Sequence, residues 1–151
     1  MKIKLVVVGT LKEAYLKAAV NEYKKRLSKY SQIDIVEVKE ENDTYPQAKD
    51  NEGINLLKQI KPQDYVVALT LKKKEYTSEE LARWLNNKFM KTSELVFIIG
   101  GSLGLCDSVI ARANECLTLS KLTFTHQMSR IILLEQIYRG FKINHHEKYH
   151  K

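Results

Sequence analysis

Two periodicities alternate along this chain. Ile3-Lys4-Leu5-Val6-Val7-Val8 is short, β-branched and almost continuously apolar, which suits a strand covered on both faces of a parallel sheet. Gly9 ends it. Thr10-Leu11-Lys12-Glu13 has capping-box spacing, and Tyr15, Ala19, Tyr23 and Leu27 return every fourth position, predicting a helix with that stripe in the core. Ile33 to Val38 alternates apolar and polar, as a half-exposed or edge strand does. A polar loop with Pro46 leads to a helix carrying Ile54, Leu57 and Ile60, and Tyr65 to Leu71 forms a third strand. Lys72-Lys73-Lys74 reads as a solvated turn.

Thr77-Ser78-Glu79-Glu80 offers a second capping box, opening a helix whose core face is Leu81, Trp84, Leu85 and Phe89. Leu95 to Ile99 is the fourth strand, closed by Gly100-Gly101-Ser102-Leu103-Gly104. A helix around Val109 to Ala113 precedes a fifth strand, Cys116 to Leu119. A long last helix runs from about His126 to Ile143 with Met128, Ile131, Ile132, Leu134, Ile137 and Phe141. Strands alternating with helices predict an α/β domain over residues 1–151, with a mainly parallel sheet and helices on both faces. Ligands of such sheets sit outside the C-terminal strand ends. That rule selects three loops: those entered at Leu69 to Leu71, at Gly100 to Gly104 and at Ser120 to Thr125.

Composition narrows the setting. The chain has 44% hydrophobic and 28% charged residues, with 6 glycines and 2 prolines, which is globular rather than low-complexity. Its apolar runs are far below the roughly 20 residues that span a bilayer, and no signal-peptide pattern opens it. We therefore expect a cytoplasmic protein with no membrane association. Cys106 and Cys116 fit reduced thiols and lack zinc-site spacing, so no metal is expected. The net charge of +7 suggests a polyanionic partner, and its placement says more than its size. Lys121 to Lys151 holds six basic and two acidic residues and all four histidines.

Gly100 to Gly104 lets backbone approach a ligand closely, though the same residues serve equally as a tight strand-to-helix turn. No Lys-Ser/Thr follows as a P-loop needs, and Gly9-Thr10-Leu11 is not a dinucleotide-binding glycine fingerprint, so a phosphate-gripping nucleotide enzyme is disfavoured. Leu119 to Gln127 has small hydroxyl and apolar side chains without an acid, suited either to wrapping an uncharged adenosine or to a plain loop capped by Ser or Thr. Arg130 and Arg139 lie nine positions apart, about 180° around a helix, and cannot share a face. Asn144 to Lys151 mixes rings and cations, as RNA-contacting tails do; the alternatives are a disordered basic tail and a metal-binding cluster, the second disfavoured because no further carboxylate or Cys lies near in sequence. No nucleophile with an obvious base stands out, which fits a reaction whose leaving group is already activated.

Taken in order, Ile99-Gly100-Gly101-Ser102-x-Gly104-Leu105, Leu119-Ser120-Lys121-Leu122-Thr123-Phe124-Thr125-His126-Gln127, Leu134-Glu135-Gln136-Ile137-Tyr138-Arg139, Phe141-Lys142-Ile143 and Tyr149-His150 resemble the ribosomal RNA large subunit methyltransferase H family. The likeness begins at Met1-Lys2-Ile3 and runs the whole length. It implies a SPOUT fold with a C-terminal trefoil knot, a homodimer, and S-adenosylmethionine as cofactor. The implied reaction is methylation at N3 of a pseudouridine in helix 69 of 23S ribosomal RNA within assembled ribosomes. Matching motifs imply cofactor contacts at Leu69, Gly100, Leu119, Ser120, Lys121, Leu122, Thr123 and Phe124. They imply RNA contacts at His126, Arg130, Arg139 and Lys151, with Tyr149 and His150 as catalytic candidates. Departures at Ser102, Leu103, Thr125 and His146 bear on loop shape. A non-catalytic RNA-binding module and a methyltransferase acting on another RNA are the rival readings.

Overall fold

The computed structural model describes residues 1–151. Strands β1 (Lys2–Val8), β2 (Gln32–Val38), β3 (Tyr65–Glu75), β4 (Glu94–Ile99) and β5 (Glu115–Thr118) form one sheet in the order β2-β1-β4-β3-β5. Every neighbouring pair is parallel. The helices are α1 (Ala14–Leu27), α2 (Ala48–Leu57), α3 (Ser78–Phe89), α4 (Asp107–Arg112) and α5 (His126–Asn144).

Side chains alternate across a strand, so each central strand feeds two cores. Ile3, Leu5 and Val7 of β1 join Leu95, Phe97 and Ile99 of β4 in the larger core, with Leu133, Leu134 and Ile137 of α5. Val6, Val8, Val96 and Ile98 enter the smaller core, with Leu56 of α2 and Val109 of α4. Helix α5 packs against both α1 and α3 over the first face, while α2 and α4 cover the second. Central strands buried on both faces explain their unbroken apolar sequence. As its alternation predicts, β2 lies at the edge.

The Thr77 capping box forms in full: the Glu80 N–H donates to Thr77 Oγ1 at 3.1 Å, and the Thr77 N–H donates to Glu80 Oε2 at 2.8 Å. The expected box at Thr10 does not. Helix α1 starts after Glu13, with no side-chain cap. Gly9 sits at φ +90° and the Leu11 N–H reaches Glu37 Oε2 at 3.3 Å, so Thr10 to Lys12 belong to the turn. The α1 core stripe is Leu16, Val20 and Leu27, whereas Tyr15 is exposed. On α2 the buried positions are Ala48, Glu52, Gly53 and Leu56, and Ile54 faces outward. The three lysines are not a free turn: Lys72 takes φ +56° at a bulge, and Lys74 and Glu75 pair again with β5.

The chain pairs β2 on one side of β1 and then places β4 and β3 on the other. Loops leaving β1 and β4 therefore diverge at the C-terminal edge, the crevice position where open α/β sheets bind ligands.

Candidate active site

A cavity of about 720 Å³ opens at that edge. The three loops selected from the sequence wall it together with their flanks, so that the lining runs over Leu69 to Leu71, Ile99 to Leu105, and Leu119 to Ser129 with Lys121 and Met128 excepted. Lys121 is exposed and points away from the lining. The other seven expected cofactor contacts, Leu69, Gly100, Leu119, Ser120, Leu122, Thr123 and Phe124, all line it.

The glycine loop closes on itself. The Gly104 N–H donates to the Gly101 carbonyl at 3.0 Å, and Gly104 takes φ +79°. A Cβ on Gly100 would stand 2.8 Å from the Gly104 carbonyl carbon and oxygen, so only glycine lets the two backbones meet there. Ser102 donates its hydroxyl to the Asp43 carboxylate, tying the loop to the segment after β2. Beneath it lies Glu52, 2% exposed, whose Oε2 accepts from the Glu41 N–H at 3.0 Å while Oε1 has no partner. Burial pushes this carboxyl above the usual range, and the nearby acids Glu40, Asp43 and Glu41 add to the effect.

Across the cavity the Leu122 N–H donates to Ser120 Oγ at 3.0 Å, and Thr125 caps α5 by accepting from the Met128 N–H at 3.3 Å. His126 follows in the first turn. Its Nε2 is buried with no hydrogen bond, facing Glu40 Oε1 at 3.5 Å, and Thr70 Oγ1 is likewise buried and unpartnered. Two cavity-lining residues thus keep unsatisfied polar atoms, each an expensive group to leave unpaired. Lys49 supplies an ammonium group to the lining.

The remaining expected residues lie elsewhere on α5 and beyond it. Arg130 is 2% exposed; its Nη1 donates to Glu37 Oε2 at 2.8 Å and its Nη2 to the Gly9 carbonyl at 3.3 Å, so the guanidinium sits inside and not on the outer surface. Arg139 donates from Nε and Nη2 to Glu135 Oε1 at 3.1 and 2.6 Å, and pairs with His150 Nδ1 at 3.2 Å. Tyr149 lies under the Arg139 guanidinium and donates to Glu135 Oε1 at 3.1 Å, while His150 Nε2 meets Glu79 Oε1 at 2.7 Å. Burial, reinforced by Glu135, pushes the Tyr149 phenol up to about 12. The tail is therefore folded onto its own helix. Neither Tyr149 nor His150 lines the cavity, and Lys151 is exposed at the end of the chain.

A family model described as "Predicted SPOUT methyltransferase" matches residues 1–150. The chain belongs to the SPOUT methyltransferase family. It is 48% identical, over the full length of both chains, to a Clostridioides difficile protein named "Ribosomal RNA large subunit methyltransferase H". A Bifidobacterium animalis subsp. lactis protein of the same name is also 48% identical, again over all of both chains. Among solved structures, a probable methylase family protein from Haemophilus influenzae superposes with TM-score 0.59 at 14% identity, covering 99% of this chain and 70% of that one. A putative methyltransferase from Legionella pneumophila with bound S-adenosylmethionine superposes with TM-score 0.52 at 14% identity, covering 93% and 66%. These two likenesses concern the fold. Within this SPOUT methyltransferase, sequence reasoning missed Lys49, Ile110 and Ser129 as cavity residues. Lys49 had no signal, since only the packing of α2 brings it to the rim.

Proposed function

We propose that this SPOUT methyltransferase binds S-adenosylmethionine in the cavity between the glycine loop and Leu119 to Phe124. It methylates N3 of a pseudouridine in helix 69 of 23S ribosomal RNA, in assembled ribosomes in the cytoplasm. The observation that carries the reading is the cavity itself, whose lining unites seven sequence-selected residues from three separate loops. The full-length identity with relatives named as large-subunit ribosomal RNA methyltransferases supports the substrate.

The lining fits the cofactor. Leu69, Leu119 and Leu122 offer apolar surface for an adenine face, and the glycine loop exposes backbone groups for its polar edge. The Lys49 ammonium suits a carboxylate such as that of the methionine part. No Asp or Glu lines the cavity, so an uncharged ring and ribose enter without facing a buried carboxylate. When bound, S-adenosylmethionine supplies a methyl group already activated by its sulfonium. The chain must then orient the acceptor and take one proton, because the N3–H of the base has to leave for N3 to attack. The Tyr149 phenol stays protonated at neutral pH and positions the base by exchanging Glu135 for the acceptor, while His150 Nδ1 accepts the proton in exchange for its contact with Arg139, its Nε2–H staying on Glu79. Both are held on a platform of Glu135, Arg139 and Glu79. That platform is outside the same chain's cavity, so the tail serves a partner subunit's cavity in a homodimer. His126, Arg139 and Lys151 contact RNA. The whole chain acts as one unit, and its C-terminal segment is threaded into a trefoil knot.

The test is methyl transfer from labelled S-adenosylmethionine to ribosomes from a strain lacking the enzyme, with the product located by mass spectrometry. We expect one methyl on one pseudouridine of 23S ribosomal RNA. Label on transfer RNA alone, or none on ribosomes, would overturn the substrate assignment.

A further inference from the structure

A second cavity, of about 340 Å³, lies between α1 and the β2 edge, and the methyl-transfer reading leaves it unused. Its polar lining comprises Thr10, Lys17, Asn21, Lys24, Glu37 and Arg130. Lys17, Asn21 and Lys24 fall at helical positions i, i+4 and i+7 and so form one stripe along α1. Neither lysine has a carboxylate within 4 Å; the ion pairs of the chain use other residues. Glu37 is the one acid in the lining, and its Oε2 is already engaged by Arg130 Nη1 and the Leu11 N–H. The cavity thus carries two free cations beside one Arg130–Glu37 ion pair. Arg130 is 2% exposed, and its Nε is buried without any partner. Two free ammonium groups and the Asn21 amide, set beside the Arg130–Glu37 pair, match an anionic oxygen acceptor.

The position of this cavity gives it meaning. Arg130 follows His126 by four residues on α5, a rise of about 6 Å. His126 lines the cofactor cavity and Arg130 lines this one, while Gly9 contacts both. We propose that the α1 cavity is a phosphodiester-binding site for the substrate RNA. It grips a backbone phosphate next to the nucleotide whose base enters the cofactor cavity. Phosphate contacts fix register without reading sequence, which is the task left to a small enzyme whose acceptor base must be held steady over a methyl donor. The inference rests on the RNA methyltransferase reading and adds Thr10, Lys17, Asn21 and Lys24 to the RNA surface.

The test uses the full-length protein, unmethylated 70S ribosomes as the probe, and the double variant K17E/K24E, whose side chains lie on the solvent side of α1. A second double variant, K58E/K91E, changes net charge equally at two residues that line neither cavity. We expect K17E/K24E to weaken ribosome binding at least about tenfold and to flatten the dependence of log K on log salt by about 0.8, the slope of one lost phosphate contact. S-adenosylmethionine affinity should stay within twofold, and K58E/K91E should bind ribosomes nearly as the wild type does. Unchanged affinity and slope in K17E/K24E, or an equal loss in K58E/K91E, would overturn the site while leaving the methyltransferase reading intact. Wild-type protein that binds S-adenosylmethionine but no ribosomes would overturn both.

Discussion

The two ends of α5 are finished differently. At the first turn, His126 Nε2 and the neighbouring Thr70 Oγ1 are buried without partners beside a cavity framed by glycines and leucines. At the last turns and the tail, Glu135, Arg139, Lys142, Glu147, Tyr149 and His150 satisfy one another. Glu147 alone accepts from Lys142 at 2.6 Å, Tyr30 at 2.8 Å and Lys29 at 3.3 Å. A buried polar atom without a partner costs about 1–3 kcal/mol. One end of the helix therefore leaves polar atoms unpaired at the edge of a cavity, and the other end is organised by its own chain.

Arg130 ties the cavity end of α5 to β2 and to the turn after β1. Arg130→Ala removes the charge-assisted hydrogen bonds of a buried guanidinium to Glu37 and to the Gly9 carbonyl and should lower the unfolding free energy by about 2 kcal/mol in a urea titration, with the exposed Glu37 carboxylate left to water. R130M combined with E37Q should recover part of that loss. At Gly100 a side chain strikes the Gly104 backbone, and overpacking of this kind costs about 1–3 kcal/mol. Gly100→Val should weaken S-adenosylmethionine binding by tenfold to a hundredfold, with little change in circular dichroism.

Smaller effects sharpen the contrast. Because burial raises the Glu52 carboxyl, its protonated form is favoured in the fold; the stability it contributes is present below the ordinary value of 4.5 and is lost as pH rises. Glu52→Gln should therefore melt a few degrees higher than wild type at pH 8, and the two melting curves should converge near pH 4. Glu147 has the opposite sign. Lys142 first, then Tyr30 and Lys29, pull it from 4.5 down to about 2. Its contribution is present above pH 4.5 and fades as pH falls toward 2. Glu147→Gln at pH 7 should quicken tryptic cleavage after Lys148 a few-fold while global melting hardly moves.

The sequence was legible where one local rule sufficed. Val6 to Val8, Leu95 to Ile99 and the Thr77–Glu80 box each declare themselves within a few residues, and each forms as expected. Thr10 matched the capping pattern too, yet Gly9 at φ +90° and the long-range grip of Glu37 on Leu11 set the turn instead. Ile54 faces outward because Gly53 packs against the Cys106 sulfur and Glu52 turns in beneath the glycine loop, contacts that no periodicity carries. The cofactor loops were readable because they belong to strand ends of a predicted sheet. The Arg130–Glu37 pair joins residues 93 positions apart and becomes visible only once β2 and α5 are side by side.

The central claim is that one chain builds the cofactor cavity and that its tail is reserved for other work. Calorimetric titration of S-adenosylmethionine into the full chain and into a chain ending at Lys148 tests it most directly. The account predicts one site per chain in both proteins, with affinities within twofold, while methyl transfer to ribosomes is lost in the shortened chain. Absence of binding to the full chain, or loss of binding when Tyr149 to Lys151 are removed, would contradict it.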